Sequence, residues 1–220
     1  MLLSMNVIEL FSSIDGEGKR QGFLTTFLRL HDCNIRCSYC DTLYSYGPES
    51  TFESMSVQAV ADAIEQLENH RITITGGEPL LQEPAIIELI DELTRRNARY
   101  DFNIETNGTI IPSFHRDNVW FTYDYKTPSS LAEDAMNLDI FKVATPADII
   151  KFVVGSMQDL DRMDEILKTY PTDAQIFVSP VWGNIEGATI IEYMKAHDWQ
   201  NVRFQLQIHK FIWDPDAKGV

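Results

Sequence analysis

The feature that most limits what this chain can fold into is an alternation. Short runs rich in β-branched and aromatic residues are separated by longer stretches with helical spacing of apolar side chains. Strand-like runs fall at 23–30, 72–75, 100–105, 119–123, 149–154, 175–178 and 202–208. Between them, 56–67 carries Val57, Val60, Ala61, Ile64 and Leu67 on one helical face, with Ser54 or Ser56 as its cap. Helices are likewise predicted over 85–97, 157–168 and 188–196. Strands alternating with helices imply βαβ crossovers and a parallel sheet. In 220 residues this predicts an α/β fold, a partial (open) β/α barrel of about six parallel strands rather than a closed eight-fold one. No repeat, low-complexity tract or linker interrupts it, so 1–220 is expected to be a single domain. Sites in such folds form at the carboxyl ends of the strands. The polar and glycine-rich exits at Gly76-Gly77, Asn107-Gly108 and Lys126 are therefore where chemistry is expected.

Composition removes several classes of function. With 18 Lys+Arg against 33 Asp+Glu the formal charge is −15, a surface that repels phosphate backbones and argues against nucleic acid as a partner. No apolar run approaches the roughly 20 residues that span a bilayer, and no secretory leader is evident, so a cytoplasmic location is expected. The three cysteines are an odd number, packed into eight consecutive residues. A disulfide framework would spread an even number along the chain, whereas a tight group in a cytosolic protein points to metal.

Cys33, Cys37 and Cys40 are spaced by three and then two residues. Three thiolates hold three irons of a 4Fe–4S cubane and leave the fourth open to a ligand, while electron-transfer ferredoxins usually supply four cysteines. The alternative on residues alone is a structural zinc site completed by His31, as in a non-catalytic interaction module.

This spacing, with Tyr39 just before the last cysteine, resembles the signature of the radical S-adenosylmethionine (SAM) superfamily. The resemblance implies a radical SAM core in which SAM chelates the open iron and is cleaved reductively to a radical that abstracts hydrogen from the substrate. It also implies a SAM cradle at the later strand exits. Gly76, Gly77, Glu78 and Pro79 resemble the glycine-rich motif that meets the methionine moiety. Thr106 and Asn107 resemble ribose or methionine contacts, and Asp124, Tyr125 and Lys126 stand where the cradle continues, with Tyr39 beside the cluster. Lys126 is expected to neutralise the SAM carboxylate.

Ser12 to Gly18, Arg29, Cys40-Asp41-Thr42 and the late stretch from Gln205 to Trp213 together look like the 7-carboxy-7-deazaguanine synthase family, along essentially the whole chain. That resemblance implies a lyase that rearranges 6-carboxy-5,6,7,8-tetrahydropterin to 7-carboxy-7-deazaguanine with loss of ammonia, in queuosine and 7-deazapurine biosynthesis. Mg²⁺, a reductant protein such as flavodoxin and a homodimeric state come with it. Ile14, Asp15, Gly16, Glu17, Arg29 and Thr75 are then the substrate contacts, with Arg29 on the substrate carboxylate, and Thr42 is the Mg²⁺ ligand. Read without the resemblance, Asp15 to Gly18 is a turn ahead of the first strand and Thr42 a helix cap. Two departures stand out: the family's first motif often has Gln where this chain has Asp15, and its Ser-Pro-Lys segment is here Asp124-Tyr125-Lys126. A glycyl-radical enzyme activase shares the cysteine spacing and is the competing enzyme.

Overall fold

The computed structural model describes residues 3–215 and 217–220. Among them, one nine-stranded sheet runs in the order β3-β1-β2-β4-β5-β6-β7-β8-β9. The strands are β1 (Ser4–Ile14), β2 (Leu24–Leu30), β3 (Glu53–Ser56), β4 (Arg71–Gly76), β5 (Asp101–Thr106), β6 (Val119–Tyr125), β7 (Ile149–Val154), β8 (Gln175–Pro180) and β9 (Val202–Phe204). β1 pairs antiparallel with β2 and β3, and every pairing from β2 through β9 is parallel. The parallel strands thus number seven rather than about six, and the sheet is open, as expected of a partial barrel. The helices are α1 (Val57–Gln66), α2 (Glu83–Arg96), α3 (Ile140–Val143), α4 (Met157–Thr169), α5 (Gly187–Ala196) and α6 (His209–Ile212). None of the described helices is long and apolar enough to cross a membrane.

Side-chain alternation along the parallel strands divides the molecule into two faces. Leu28, Leu30, Ile72, Ile74, Phe102, Ile104, Phe121, Tyr123, Ile150, Phe152, Val154, Ile176 and Val178 point to one side and join the helices in one core. Burial at roughly 25 cal/mol per Å² makes this face the main source of stability. Their neighbours point to the other side: Arg29, Thr75, Glu105, Asp124 and Lys151 all line one cavity. Helix starts follow the usual capping chemistry: Ser56 Oγ accepts from the Ala59 N–H, and Ser156 Oγ from the Asp159 N–H, at the first turns of α1 and α4.

Two segments differ from expectation. Ser12 to Ile14 do not precede the first strand but end β1, an 11-residue strand that pairs with β2. The last strand stops at Phe204 rather than running to residue 208. Gln205 turns away because its side-chain amide exchanges two hydrogen bonds with the Gly18 backbone, at 2.8 and 2.9 Å. Together with Ile208 N–H donating to Gly16 O (3.1 Å), this fastens the β1–β2 loop to the segment after β9.

Candidate functional site

The cysteine loop leaves the end of β2 and is clamped by the exits of three further strands. Gly77 N–H donates to Leu30 O and Glu78 N–H to Asp32 O, so the exit of β4 lies flat against the chain entering Cys33. Gly76 has φ +146°, and a Cβ on Gly76 or Gly77 would run into the backbone of Leu30 or Asp32, so only glycine permits this approach. From the β5 exit, Asn107 Nδ2 donates to Asn34 Oδ1 (2.9 Å) and approaches Cys33 Sγ (3.7 Å). From the β6 exit, Ser129 O and Ser130 O accept from the hydroxyl and N–H of Ser38. Tyr39 OH reaches Val153 O on β7 at 3.3 Å.

The three cysteines form no disulfide and line one wall of the cavity. Burial pushes the Cys33 and Cys37 thiols up, Cys37 to about 11, and the neighbouring sulfurs add to both shifts. Three thiolates so placed need cationic charge between them. Among the described residues no group of three His, Cys, Asp or Glu converges on a single metal ion, as the about 2.3 Å Zn–S bonds of a zinc site would demand. Three unbridged thiols at one cavity, with no fourth cysteine in the chain, are the ligand set of a 4Fe–4S cubane that keeps one iron open. Thr42 lies on the same wall, with Oγ1 at 3.6 Å from Cys40 Sγ. It stands just ahead of the 3-10 turn Leu43–Ser45 but makes no side-chain cap, which leaves its hydroxyl to the cavity.

Most of the remaining expected site residues converge on this cavity: Ile14, Asp15, Gly16, Glu17, Arg29, Tyr39, Thr75, Gly76, Gly77, Thr106, Asn107, Asp124 and Lys126. Glu78 and Tyr125 do not. Glu78 is fully buried behind the cavity wall, where its carboxylate accepts from Leu80 N–H, Thr106 Oγ1 and Asn107 N–H at 2.7–3.0 Å. It therefore shapes the cradle by tying the exits of β4 and β5 together. Tyr125 falls on the outer face by strand alternation, buried against Phe141 and Phe152, with its hydroxyl donating to Glu133 at 2.9 Å.

Arg29 is aimed by a register shift. A bulge in β1 between Val7 and Glu9 brings Glu9 opposite Arg29, and Arg29 Nε donates to Glu9 Oε1 at 2.6 Å. Tyr44 OH donates to the same oxygen at 2.8 Å. With Nε anchored, the two terminal nitrogens of the guanidinium are left for the cavity.

The β1–β2 loop supplies the opposite wall. Asp15 N–H donates to Phe23 O and Asp15 O accepts from Gly22 N–H, so its backbone closes the hairpin loop, while its carboxylate accepts from Thr73 Oγ1 at 3.2 Å. Gly16 packs under the His209 ring, where any Cβ would collide. Glu17 accepts from Lys151 Nζ (3.1 Å), Gln207 Nε2 (3.1 Å) and Ser179 Oγ (3.2 Å). Burial would raise its pKa, but the Lys151 charge, the Gln207 hydrogen bond and His209 outweigh it and hold Glu17 at about 2. Lys126 pairs with Asp124 at 2.9 Å, so its charge is already partly neutralised within the protein. The second Asp124 oxygen is buried with no partner among the described residues.

Sequence reasoning assigned no role to Glu9, Lys151 or Ser179; it placed Glu105 with the Thr106-Asn107-Gly108 exit as a ribose or methionine contact, and Gln207 only within the stretch from Gln205 to Trp213. Lys151 had a signal: a lone lysine inside the otherwise apolar run of β7. Glu9 had none, because its partner is set by the bulge. Residues Pro215, Ala217, Lys218, Gly219 and Val220 also line the cavity, with Lys218 Nζ over the Tyr44 ring at 4.3 Å.

The chain resembles known proteins along nearly its whole length. Residues 29–153 match the Radical SAM superfamily. The chain is 37% identical to the 7-carboxy-7-deazaguanine synthase of Clostridium acetobutylicum, over 99% of this chain and 100% of that protein. It is 37% identical to that of Methanospirillum hungatei (96% and 86% covered) and 36% identical to that of Leptospira interrogans (99% of each). In fold, it superposes on the crystal structure of QueE from Escherichia coli with a TM-score of 0.70, covering 92% of this chain and 93% of that one at 22% identity.

Proposed function

The chain belongs to the radical SAM superfamily and, within it, to the 7-carboxy-7-deazaguanine synthases, and from that membership we propose how its cavity performs the reaction. It is a radical SAM lyase of 7-deazapurine biosynthesis, and its substrate is 6-carboxy-5,6,7,8-tetrahydropterin, converted to 7-carboxy-7-deazaguanine with loss of ammonia. Neither a glycyl-radical activase nor a zinc-binding module is favoured, because relatives matched over 96–99% of the chain carry the synthase name.

Cys33, Cys37 and Cys40 hold the 4Fe–4S cluster, which with SAM supplies the radical that starts the rearrangement. On the SAM side, Gly76 and Gly77 admit the methionine end against bare backbone, and Thr106 and Asn107 are fixed for it by Glu78. The unpartnered Asp124 oxygen accepts from a SAM hydroxyl or ammonium group, and Lys126 acts through Asp124 as well as on the SAM carboxylate. On the substrate side, Arg29 grips the carboxylate with its two terminal nitrogens. A carboxylate offers about four acceptor positions; three contacts already occupy Glu17, and the position left on Oε1 takes an N–H of the amino-pyrimidinone edge. Thr75 and the loop from Ile14 to Gly16 complete the substrate wall. Thr42 would contribute its hydroxyl to Mg²⁺, an ion that keeps much of its hydration and would supply charge to bind substrate oxygens there. The whole chain works as one domain in the cytoplasm, where thiols stay reduced. A small reductant protein of the flavodoxin kind delivers the electron, and the active unit is a homodimer.

The observation that carries this reading is the shared cavity, which Cys33, Cys37 and Cys40 line together with Arg29 and Glu17. Anaerobically reconstituted enzyme, given SAM, reductant, Mg²⁺ and carboxytetrahydropterin, is expected to release 7-carboxy-7-deazaguanine. Absence of that product with an intact cluster would overturn the reading.

A further inference from the structure

Lys151 is a cation in an improbable place. It sits in the middle of β7 among Ile149, Ile150, Phe152, Val153 and Val154, is 7% exposed, and projects to the inner face. Its Nζ is 3.1 Å from Glu17 Oε2 and 3.8 Å from Asp124 Oδ2. Three elements thus meet at one ammonium: the β1–β2 loop through Glu17, β6 through Asp124, and β7 itself. Glu105 on β5 adds a third carboxylate to its field, Lys126 faces it from behind Asp124, and His209 and Gln207 approach Glu17 from the segment after β9. A buried ammonium is costly unless paired. Two close carboxylates meet that cost, and they belong to opposite halves of the cavity.

We propose that Lys151 is a positioning residue for the pterin subsite: it fixes Glu17 as a permanently ionised acceptor and, through Asp124, ties that acceptor to the SAM side. This deepens the reading above and rests on its assignment of Glu17 to the substrate. The pterin edge presents N–H donors, so a protonated Glu17 would set donor against donor. Burial alone raises the Glu17 carboxyl, and the Lys151 charge is the largest influence opposing it. Without that charge the buried Glu17 carboxyl is expected to hold its proton to higher pH.

The test is carboxytetrahydropterin binding to cluster-loaded, SAM-bound enzyme, measured anaerobically from about pH 6 to about pH 8.5, a window above the range of an ordinary carboxyl and within reach of a raised one. Affinity in the unaltered enzyme is expected to be flat once the titrations common to all variants, those of the substrate and of Asp15, are divided out. In Lys151→Gln it falls toward acid, approaching about tenfold per pH unit below the new Glu17 pKa. Lys151→Arg, which keeps the charge and provides a second folded variant, restores the flat profile. In the Glu17→Gln background the acid limb disappears, which separates Glu17 from Glu105 and His209. Equal weakening of Lys151→Gln at all pH values, or additive losses in the double variant, would mean that Lys151 acts independently of Glu17 and would overturn the inference. Unaltered enzyme that binds no pterin overturns the functional reading too; binding that is normal in the unaltered enzyme and in Lys151→Gln alike sinks only the inference.

Discussion

Asp15 is a carboxyl that the fold holds under strain of charge rather than of shape. Burial and the charge of Glu105 raise it to about 7, against the opposing pull of Arg20. Below the unfolded value of 3.8 both states hold the proton and the group costs the fold nothing. Between there and about 7 the unfolded chain ionises first, so stability drains away as pH rises through this window. Asp15→Asn keeps an acceptor for Thr73 and removes the titration. Thermal melts are expected to show it gaining on the unaltered protein at pH 8 and not at about pH 4; equal gains at both would discount the raised carboxyl. Arg29 makes a different kind of prediction. Its loss in Arg29→Ala removes a charge-assisted clamp, about 2–3 kcal/mol, or on the order of 30- to 150-fold in substrate Kd. Lysine restores little of it, lacking the planar fork. A titration in which Arg29→Ala binds substrate normally would refute the clamp.

At the scale of elements, the cradle is a set of strand exits tied to each other before any ligand arrives. Glu78 is the tie between β4 and β5, with three separate protein donors on a carboxylate that water does not reach. Glu78→Ala orphans those donors at about 1–3 kcal/mol each for the ones left without water. The expected result is a lowered denaturant midpoint together with weaker SAM binding, although Glu78 touches no cavity. Strong SAM binding in a destabilised variant would show that the exits hold their positions without it. The strand–helix alternation was legible because each parallel strand puts apolar residues, most of them β-branched or aromatic, on its core face and the helices carry apolar stripes at helical spacing. Tyr125 was misplaced because motif position says which exit a residue occupies, not which face of the strand it turns to, and Glu78 because it caps the 3-10 turn Pro79–Gln82 beyond β4 instead of facing the cavity. β1 was hidden because its sequence, SMNVIELFSSI, mixes polar and apolar residues with an irregular burial pattern around the bulge. The end of β9 was hidden because Gln205 leaves the sheet for a partner 187 residues away.

Across the whole molecule, the cluster loop is where loading and global stability meet. Iron must displace thiol protons that burial holds on, at Cys37 up to about 11, so cluster assembly releases protons and is favoured as pH rises. Reconstitution at pH 8.5 is expected to reach about four irons per chain more completely than at pH 7, and the loaded protein to melt higher than the apo form. Iron content indifferent to pH would argue against proton displacement. Cys37→Ala strips the cubane to two thiolates; iron analysis should find the cluster lost and SAM cleavage abolished with it.

The fastening of the β1–β2 loop to the segment after β9 has a consequence for how the protein is made. The cysteine triplet and the SAM exits lie between Cys33 and Lys126, while Glu17 waits for Lys151, Ser179 and Gln207. On a translating ribosome the radical-generating half is therefore encoded and delivered first, and the pocket that receives substrate is assembled only when the last strand emerges. A chain that ends before Gln207 has the cysteines and the SAM exits but lacks at least one of the groups that hold Glu17 in place.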